Sequence, residues 1–420
     1  SEGRLLCLTS NFPRWQGDST TPFVLNLAKD LLSLGWRVDV LAPHAPGCAR
    51  QEVLDGVKVE RFRYLWPPSI QTVCYQGGAL INLRQNKTNF LKLPALVAAE
   101  WAALLRRLLT RRYDLLHSHW LLPQGFVGVL AAKLTRVPHV ITIHGGDVFG
   151  LQQKMLAPFK RFALKQADAV TVNSSVTEQA VKDLVPALTT VQRIPMGVDL
   201  PDITRDEARV RDIRERYGVG AGPLLVFVGR VVEEKGIEDL IRAVPRIAEH
   251  CPDVRALIIG EGQDRSELEH LSRELGLSDR ITFTGWVDSR EVPAFLAAAD
   301  AFVGPSRRSR DGWIEAQGLA FLEAMAVGTP VVATRSGGIV DSVIHEETGL
   351  LVDEHSPGQI AEAVIRLHTE DSLSLTLREH GRSQVETTFS RDASTAKFSD
   401  VFDLLLDARG VDVSVPEVQR

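Results

Sequence analysis

The chain has 420 residues, which is too long for one hydrophobic core, so we expect two domains of roughly 200 residues each. Apolar residues make up 44% and charged residues 24%, as in a water-soluble globular protein. No apolar run reaches the roughly 18 residues of a membrane helix, so the sequence predicts no membrane-spanning helix. The first residues lack the pattern of a secretion signal, and the four cysteines are scattered, so we expect a cytoplasmic protein with reduced thiols.

The net charge of −5 conceals a difference between the two halves of the chain. Residues 1–200 contain 23 Lys/Arg and 14 Asp/Glu, whereas residues 201–420 contain 25 and 39. A basic front half and an acidic back half suggest two domains with different partners. The alternative is that the charge difference reflects variation in surface composition without a functional cause.

The front half alternates between strand-like runs and helical periods. Strands are predicted at 4–10, 37–43, 113–119, 139–147 and 167–175, with helices at 22–35, 124–136 and about 151–167. This β-α-β alternation is typical of a parallel sheet.

The same alternation restarts near residue 222, after an irregular stretch at 194–203. The sequence therefore predicts an α/β protein with two doubly wound, Rossmann-like domains facing a central cleft. We expect a front domain at 1–197, a back domain at 198–388, and a last segment, 389–420, that forms a helix crossing back to the front domain and a tail. Because ligands bind beyond the carboxyl ends of parallel strands, the cleft is the expected site.

Several polar residues of the front half follow predicted strands. Gly17 lies in the loop between the first strand and the helix that begins at Pro22, where a phosphate could bind. His144 ends a strand and precedes two glycines, which favours a site over a core position. His117 and His119 share a strand face, which would suit a metal pair, but without a third ligand a polar cleft wall is the better interpretation.

Two cations of the back half, Arg230 and Lys235, come just after a strand in "GRVVEEKG". Their spacing would let them converge on one anion such as a diphosphate. The alternative is a solvated loop in which Glu233 and Glu234 pair with them. The following turn contains Gly260 and Gly262, which favours a tight strand-to-helix connection but does not match a nicotinamide motif.

Two acids eight positions apart, Glu315 and Glu323, lie in an apolar stretch. Gly318 between them argues against one continuous helix, so we expect a helix that begins near Gly318 and ends at Gly328. Both carboxylates could accept hydrogen bonds from sugar or ribose hydroxyls. The alternative is a pair of helix-start acids favoured by the helix dipole.

These motifs together resemble the family-4 retaining glycosyltransferases of the GT-B fold, of the bacterial polysaccharide and glycolipid type. The resemblance rests on Glu-x₇-Glu followed by "AMAVGTPVVAT", on "GRVVEEKG" and on "HGGD", and it runs from about residue 4 to 408. Ala316 stands where the family motif has glycine, and the usual double glycine of the first loop is reduced to Gly17 followed by Asp18.

The resemblance implies a role for each matching residue. Arg230 and Lys235 would hold the donor diphosphate, Glu315 the transferred sugar and Glu323 the ribose. The remaining donor contacts would come from the backbone around Gln317, Gly318 and Leu319, from His144 near the reacting sugar, and from Gly17. On the acceptor side we expect Asp18, His119, Trp120 and Asp147.

The implied reaction transfers a hexose from a UDP- or GDP-linked sugar to a glycan or lipid-linked acceptor in cell-surface polysaccharide or glycolipid synthesis. The family retains anomeric configuration by front-face attack assisted by the leaving phosphate. No Asp-x-Asp occurs in the chain, so Arg230 and Lys235 would neutralise the diphosphate without a metal. No other cofactor and no nucleic-acid partner are expected. The alternatives are an epimerase or phosphorylase on the same fold, or a catalytically inactive sugar-binding protein.

The stretch 86–114 carries six cations and, before Asp114, one acid, Glu100. Phe90 and Leu91 precede Pro94, and a leucine-rich helix follows. Packing on the front sheet would account for the leucines but not for the cations at the end of the helix. We therefore expect this basic, amphipathic element to bind an anionic membrane surface, on the inner face of the cell membrane.

Overall fold

The computed structural model describes residues 3–18, 20–75, 78–150, 154–189, 191–201 and 207–410. The chain divides into two compact units. Unit 1 comprises Ser1–Met196 together with Ser394–Arg420, and unit 2 comprises Gly197–Ala393. Residues 202–206, which include the end of the irregular stretch at 194–203, and residues 411–420 of the last segment lie outside the described residues.

An eight-stranded sheet forms the centre of unit 1. Its strands are β1 (Arg4–Leu8), β2 (Arg37–Pro43), β3 (Gln51–Leu54), β4 (Val57–Phe62), β5 (Leu115–His119), β6 (His139–Ile143), β7 (Ala169–Val172) and β8 (Val191–Arg193). They are ordered β3-β4-β2-β1-β5-β6-β7-β8, and every pair is parallel except β3 with β4. The order reverses between β1 and β5, and such a reversal opens a crevice at the carboxyl ends of the strands.

Seven helices of unit 1 connect or flank these strands. They are α1 (Pro22–Ser33), α2 (Ala79–Gln85), α3 (Leu93–Thr110), α4 (Phe126–Thr135), α5 (Gly146–Phe149), α6 (Ala157–Gln166) and α7 (Ser175–Leu184). The helix predicted at about 151–167 is thus shorter, because a 3₁₀ turn occupies Lys154–Leu156, and residues 151–153 lie outside the described part. Within the part of the chain that the structure describes, no helix is long and apolar enough to cross a membrane.

Unit 2 repeats the architecture with six parallel strands. These are β9 (Leu224–Val228), β10 (Arg255–Ile259), β11 (Ile281–Gly285), β12 (Ala301–Gly304), β13 (Val331–Thr334) and β14 (Leu350–Val352), in the order β11-β10-β9-β12-β13-β14. The helices are α8 (Glu207–Arg216), α9 (Ile237–His250), α10 (Arg265–Glu274), α11 (Val292–Ala298), α12 (Leu319–Ala326), α13 (Ile339–Ser342), α14 (Pro357–Thr369) and α15 (Asp371–Gln384). Here the order reverses between β9 and β12.

The last helix, α16 (Arg391–Asp407), belongs to unit 1 from Ser394 onward. The ring of Phe402 packs edge-on against buried Trp36, at 5.5 Å between centroids, and Phe398 lies 5.7 Å from the ring of His117. The Trp36 indole donates a hydrogen bond of 2.9 Å to the Ser399 hydroxyl. The core of unit 1 therefore includes residues from both ends of the chain.

The two α/β domains predicted from the alternating pattern are confirmed. The pattern did not reveal the antiparallel β3–β4 hairpin or helix α2, which lies between β4 and α3.

Candidate active site

The loop between β9 and α9 carries the two cations singled out in the sequence. Arg230 is exposed, and its guanidinium lies 3.4 Å from the Glu234 carboxylate. Lys235 is half-buried, pairs with the carboxylate of Glu315, and has its Nζ 5.7 Å above the ring of Trp313. Pairing with a neighbouring acid, the alternative considered above, thus holds for Arg230, whereas Lys235 reaches across to a different loop.

Backbone contact holds the loops after β9 and β12 together. Gly236 has φ 63°, and a Cβ there would lie 1.9 Å from the carbonyl oxygen of Pro305. The Arg307 backbone N–H donates to the Glu234 carbonyl at 2.9 Å, and its side chain donates to the Glu233 carbonyl at 3.2 Å. Since β9 and β12 are neighbours at the reversal of strand order, this contact brings Lys235 to Glu315.

Glu315 and Glu323 lie in different local structures, as the intervening glycine predicted. Gly318 has φ 77°, a backbone conformation that suits glycine, and α12 begins at the next residue. Glu315 is only 8% exposed, and its carbonyl accepts a 2.8 Å hydrogen bond from the Gly338 N–H. A Cβ on Gly337 would lie 2.1 Å from that carbonyl oxygen, so the loop after β13 fixes the position of Glu315.

Glu323 lies in the second turn of α12 with an exposed side chain. The surrounding protein desolvates the carboxyl and raises its pKa, and the Asp199 carboxylate adds to the rise. The exposed carboxylate is accessible to a ligand. Gln317 is buried and Leu319 half-buried at the start of the same helix.

In unit 1, His144 lies directly after β6 among aromatic rings. Its Nε2 is 2.9 Å from Nδ1 of His119, at the end of β5, and the two rings are nearly coplanar, at 8°. The rings of Phe23 and Trp120 each lie 5.1 Å from that of His144. The structure therefore brings His119, Trp120 and His144 together, with Phe23 as a member that the sequence did not indicate.

The histidines of this region are uncharged at neutral pH. Burial lowers the pKa of His144 to about 3, and burial together with the neighbouring histidines lowers that of His117 to about 3 and that of His119 well below its usual value. In the neutral pair of His119 and His144, one ring donates and the other accepts. His117 faces Thr142 instead, with Nε2 2.6 Å from the hydroxyl. Across the described ranges, no three His, Cys, Asp or Glu side chains cluster as metal ligands would.

Asp147 is buried and bonds to backbone groups. Its carboxylate accepts from the Leu121 N–H at 2.6 Å and from the Gly145 N–H at 3.1 Å, while burial raises its pKa. It thereby joins the turn after β5 to the turn after β6, which holds Trp120 (φ 74°) beside His144. The geometry makes Asp147 a positioning residue for this aromatic cluster.

The loop after β1 is held by ion pairs. Burial alone would raise the pKa of Asp18, but hydrogen bonds from Arg14 to its carboxylate lower it. Buried Arg61 donates to the Pro13 carbonyl at 2.7 Å. Gly17 is exposed with φ 83° and has no atom within 4 Å of the position that a Cβ would take, so the space on that side of its backbone is open.

Some residues that shape the site were not assigned from the sequence. Gly337 and Gly338 were visible as a glycine pair after a strand, but their contact with Glu315 depends on the neighbouring loop. Trp313, below Lys235, and Asn173, whose amide donates to the His144 carbonyl at 3.1 Å, carry no local signal.

Two family profiles match the chain. A family profile described as glycosyl transferases group 1 matches residues 210–384, and one described as a glycosyl transferase 4-like domain matches residues 20–197. The chain is 34% identical over 274 residues to a GDP-mannose-dependent alpha-(1-6)-phosphatidylinositol monomannoside mannosyltransferase of Mycobacterium tuberculosis, covering 64% of this chain and 70% of that protein.

Two further relatives span more of the chain. It is 30% identical over 361 residues to a 2-deoxystreptamine glucosyltransferase of Streptomyces kanamyceticus, covering 81% of this chain and 86% of that protein. Sucrose-phosphate synthase from Thermosynechococcus elongatus is similar in structure, with a TM-score of 0.76 and 25% identity over 96% of this chain and 100% of the other.

The buried histidines predict that acid destabilises unit 1 before unit 2. The pKa values of His117, His139 and His144 fall from about 6.5 to about 3 on folding. Only the unfolded chain takes up these protons between those values, so stability is full above about pH 6.5 and is lost as the pH falls toward 3. Each histidine costs up to about 1.4 kcal/mol per pH unit in that window.

Hydrogen exchange of the whole chain at pH 7 and pH 5, corrected for intrinsic rates, tests this. We expect the amides of β5 and β6 to lose more protection than those of β9 and β10, because the six histidines of unit 2 all have exposed side chains. His139→Gln should reduce the difference. Equal loss in both units would contradict the prediction.

Proposed function

The chain belongs to the group 1 (family-4) glycosyl transferases with the GT-B fold, and we propose that it transfers a hexose from a UDP- or GDP-linked sugar with retention of configuration and without a metal. The observation that carries the proposal is the contact of Lys235 with Glu315 at the strand-order reversal of unit 2. A cation for the diphosphate and a carboxylate for the sugar are held together there in one partly buried position.

The donor would displace part of this ion pair. Its diphosphate would accept hydrogen bonds from Lys235 and, after release from Glu234, from Arg230, since charge-assisted bonds to phosphate oxygens are strong. Glu315, freed from Lys235, would accept hydrogen bonds from hydroxyls of the hexose. Two cations aimed at the diphosphate stabilise the negative charge that develops as the sugar leaves.

The start of α12 would hold the rest of the donor. Backbone N–H groups from Gln317 to Leu319, just before α12 and at its first residue, would donate to hydroxyls of the hexose. Glu323, exposed on the next turn, would accept from the ribose hydroxyls. The N–H of Gly17 in unit 1 would add a phosphate contact.

In the reaction we propose, the bond between the anomeric carbon and the diphosphate oxygen breaks first. The acceptor oxygen then bonds to that carbon from the same face, and its proton passes to the departing phosphate oxygen. Neutral His144, with Nε2 held by His119, would orient the hexose through Nδ1. Trp120 and Phe23 would line the acceptor side, with Asp18 on the neighbouring loop.

The acceptor we propose is a glycan or a lipid-linked sugar in cell-surface polysaccharide or glycolipid synthesis, on the cytoplasmic side of the membrane. One relative is named for a phosphatidylinositol mannoside acceptor and another for 2-deoxystreptamine, so acceptors differ among relatives.

A thermal-shift screen of nucleotide sugars tests donor binding. A donor at 100 times its dissociation constant should stabilise the fold by about 2.7 kcal/mol. Incubation with the bound donor alone then separates the activities: slow hydrolysis fits a transferase, an isomerised sugar would indicate an epimerase, and an unchanged donor would indicate an inactive binding protein.

Removal of either cation should slow transfer. We expect Arg230→Ala and Lys235→Ala each to lower kcat/KM at least about tenfold, because each removes a charge-assisted bond to the diphosphate. Arg290→Ala is the matched control, since that exposed arginine pairs only locally with Asp288. Near-normal kinetics in both site variants would contradict the assignment.

Substitutions of Glu315 and Glu323 should affect catalysis and nucleotide binding differently. Glu315→Gln should lower kcat more than it weakens binding of the free nucleoside diphosphate, because Glu315 would contact the sugar. Glu323→Gln should weaken binding of the nucleoside diphosphate, because it would contact the ribose. Calorimetry with the diphosphate product measures the difference, and the opposite pattern would exchange the two roles.

A further inference from the structure

Helix α3 has two apolar faces. One face, which includes Leu96, Leu104 and Leu108, is buried in the core of unit 1. The other borders an open groove of about 690 Å³ between α3 and α4. We name this the α3–α4 groove; its walls are apolar throughout and include Phe90, Pro94, Val97, Trp101, Phe126 and Leu130.

The apolar surface continues from the groove onto α6. The ring of Phe126 packs against those of Phe159 and Phe162, at 5.4 and 5.7 Å between centroids. Phe159 is 48% exposed, and Met155 and Leu91 beside these elements are 77% and 84% exposed. An exposed apolar surface that spans three elements marks an interaction site.

The charge around the groove is positive. Segments 86–105, 121–130 and 154–166 contain six Lys/Arg and one acid, Glu100. Lys87, Lys154, Arg161 and Lys165 are exposed, whereas the Glu100 side chain is fully buried. Burial also raises the pKa of Glu100 to about 8, so this carboxyl contributes little negative charge at neutral pH.

The cations at the other end of α3 are engaged within the protein. Arg106 and Arg107 pair with Glu60, and Arg111 lies 3.8 Å from the Asp39 carboxylate. Acids of unit 1 thus offset part of the positive charge at this end of the helix, and the expectation that it faces a membrane stays a prediction. The groove and the exposed Leu91 lie toward the opposite, N-terminal end of the helix.

We propose that the α3–α4 groove and the exposed side of α6 dock on an anionic lipid bilayer, with one acyl chain of a phospholipid in the groove. The surface combines apolar walls that suit an acyl chain with exposed lysines on the same and neighbouring elements, which suit anionic headgroups. Helix α4 follows β5 through the turn that carries Trp120, which contacts His144. Docking would thus bring a lipid-linked acceptor, if the proposed function holds, to the carboxyl edge of the unit 1 sheet.

Co-sedimentation of the full chain with vesicles tests the docking surface. We expect binding to vesicles containing phosphatidylglycerol at low salt, and no binding to vesicles of phosphatidylcholine alone. Lys154→Ser with Lys165→Ser should weaken binding by roughly fivefold for each charge removed. Failure of the wild-type chain to sediment with the anionic vesicles at low salt would overturn the proposal.

Two single substitutions on α3 distinguish binding through the groove from a general electrostatic effect on vesicle binding. Ala98→Glu places a carboxylate at the exposed groove position, and Leu109→Glu places one at an exposed position on the other end of the helix. We expect Ala98→Glu to reduce vesicle binding at least about tenfold and Leu109→Glu to change it less than about twofold. Equal effects would overturn the acyl-chain site.

The thermal shift of each variant with a nucleotide sugar is measured as well, so that loss of vesicle binding can be distinguished from loss of donor binding. A variant that has lost vesicle binding should retain the shift, which also confirms its folding. If the wild-type chain binds vesicles but no nucleotide sugar, the proposed function fails and the docking surface stands. If it binds nucleotide sugar but not vesicles, only the docking surface fails.

Discussion

Direct packing of backbone on backbone is the constraint on which the site of unit 2 depends. A side chain at Gly236 would meet the carbonyl of Pro305, and one at Gly337 would meet the carbonyl of Glu315. These two contacts hold three loops, after β9, β12 and β13, against one another. The ion pair between Lys235 and Glu315 is a result of that packing, because no local sequence relation connects residues 80 positions apart. The chemistry of the site thus rests on positions where no side chain is tolerated.

Unit 1 differs from unit 2 because the histidines of its central strands are buried. His117, His119 and His139 are buried, and their pKa values are lowered so far that they remain uncharged. The region around His144 therefore contributes shape and hydrogen bonds but no positive charge. The two cations that we propose for the donor diphosphate, Arg230 and Lys235, lie in unit 2, although unit 1 is the basic half of the sequence. The surplus cations of unit 1 lie on its surface and in pairs with Glu60 and Asp39.

The sequence predicted those features that depend on local pattern. Strand-helix alternation indicated both parallel sheets, and Gly318 indicated the break between Glu315 and α12. The β3–β4 hairpin was missed although Asp55-Gly56 is a turn signal, because the strands on either side contain too many charged residues to alternate clearly. The pairs of Arg107 with Glu60 and of His119 with His144 depend on strand order and register, which single-sequence periodicity does not contain. The aromatic wall of the α3–α4 groove could not be predicted for the same reason. Its residues come from two helices that are separated in the chain by β5, and their contact depends on how both helices pack on the sheet.

Because α16 belongs to unit 1 from Ser394 onward, unit 1 cannot be completed until the end of the chain has been synthesised. Unit 2 is one uninterrupted segment, whereas unit 1 is completed only by residues from 394 onward. During synthesis from the N-terminus, Trp36 lacks its partners Ser399 and Phe402 until more than 350 further residues have been added. The domain that is synthesised first is therefore completed last. Until then the apolar surface around Trp36 lacks the helix that covers it, and such transiently exposed surface favours aggregation. Unit 2 can be produced by a single excision, but an isolated unit 1 requires its C-terminal helix to be rejoined by an engineered connection.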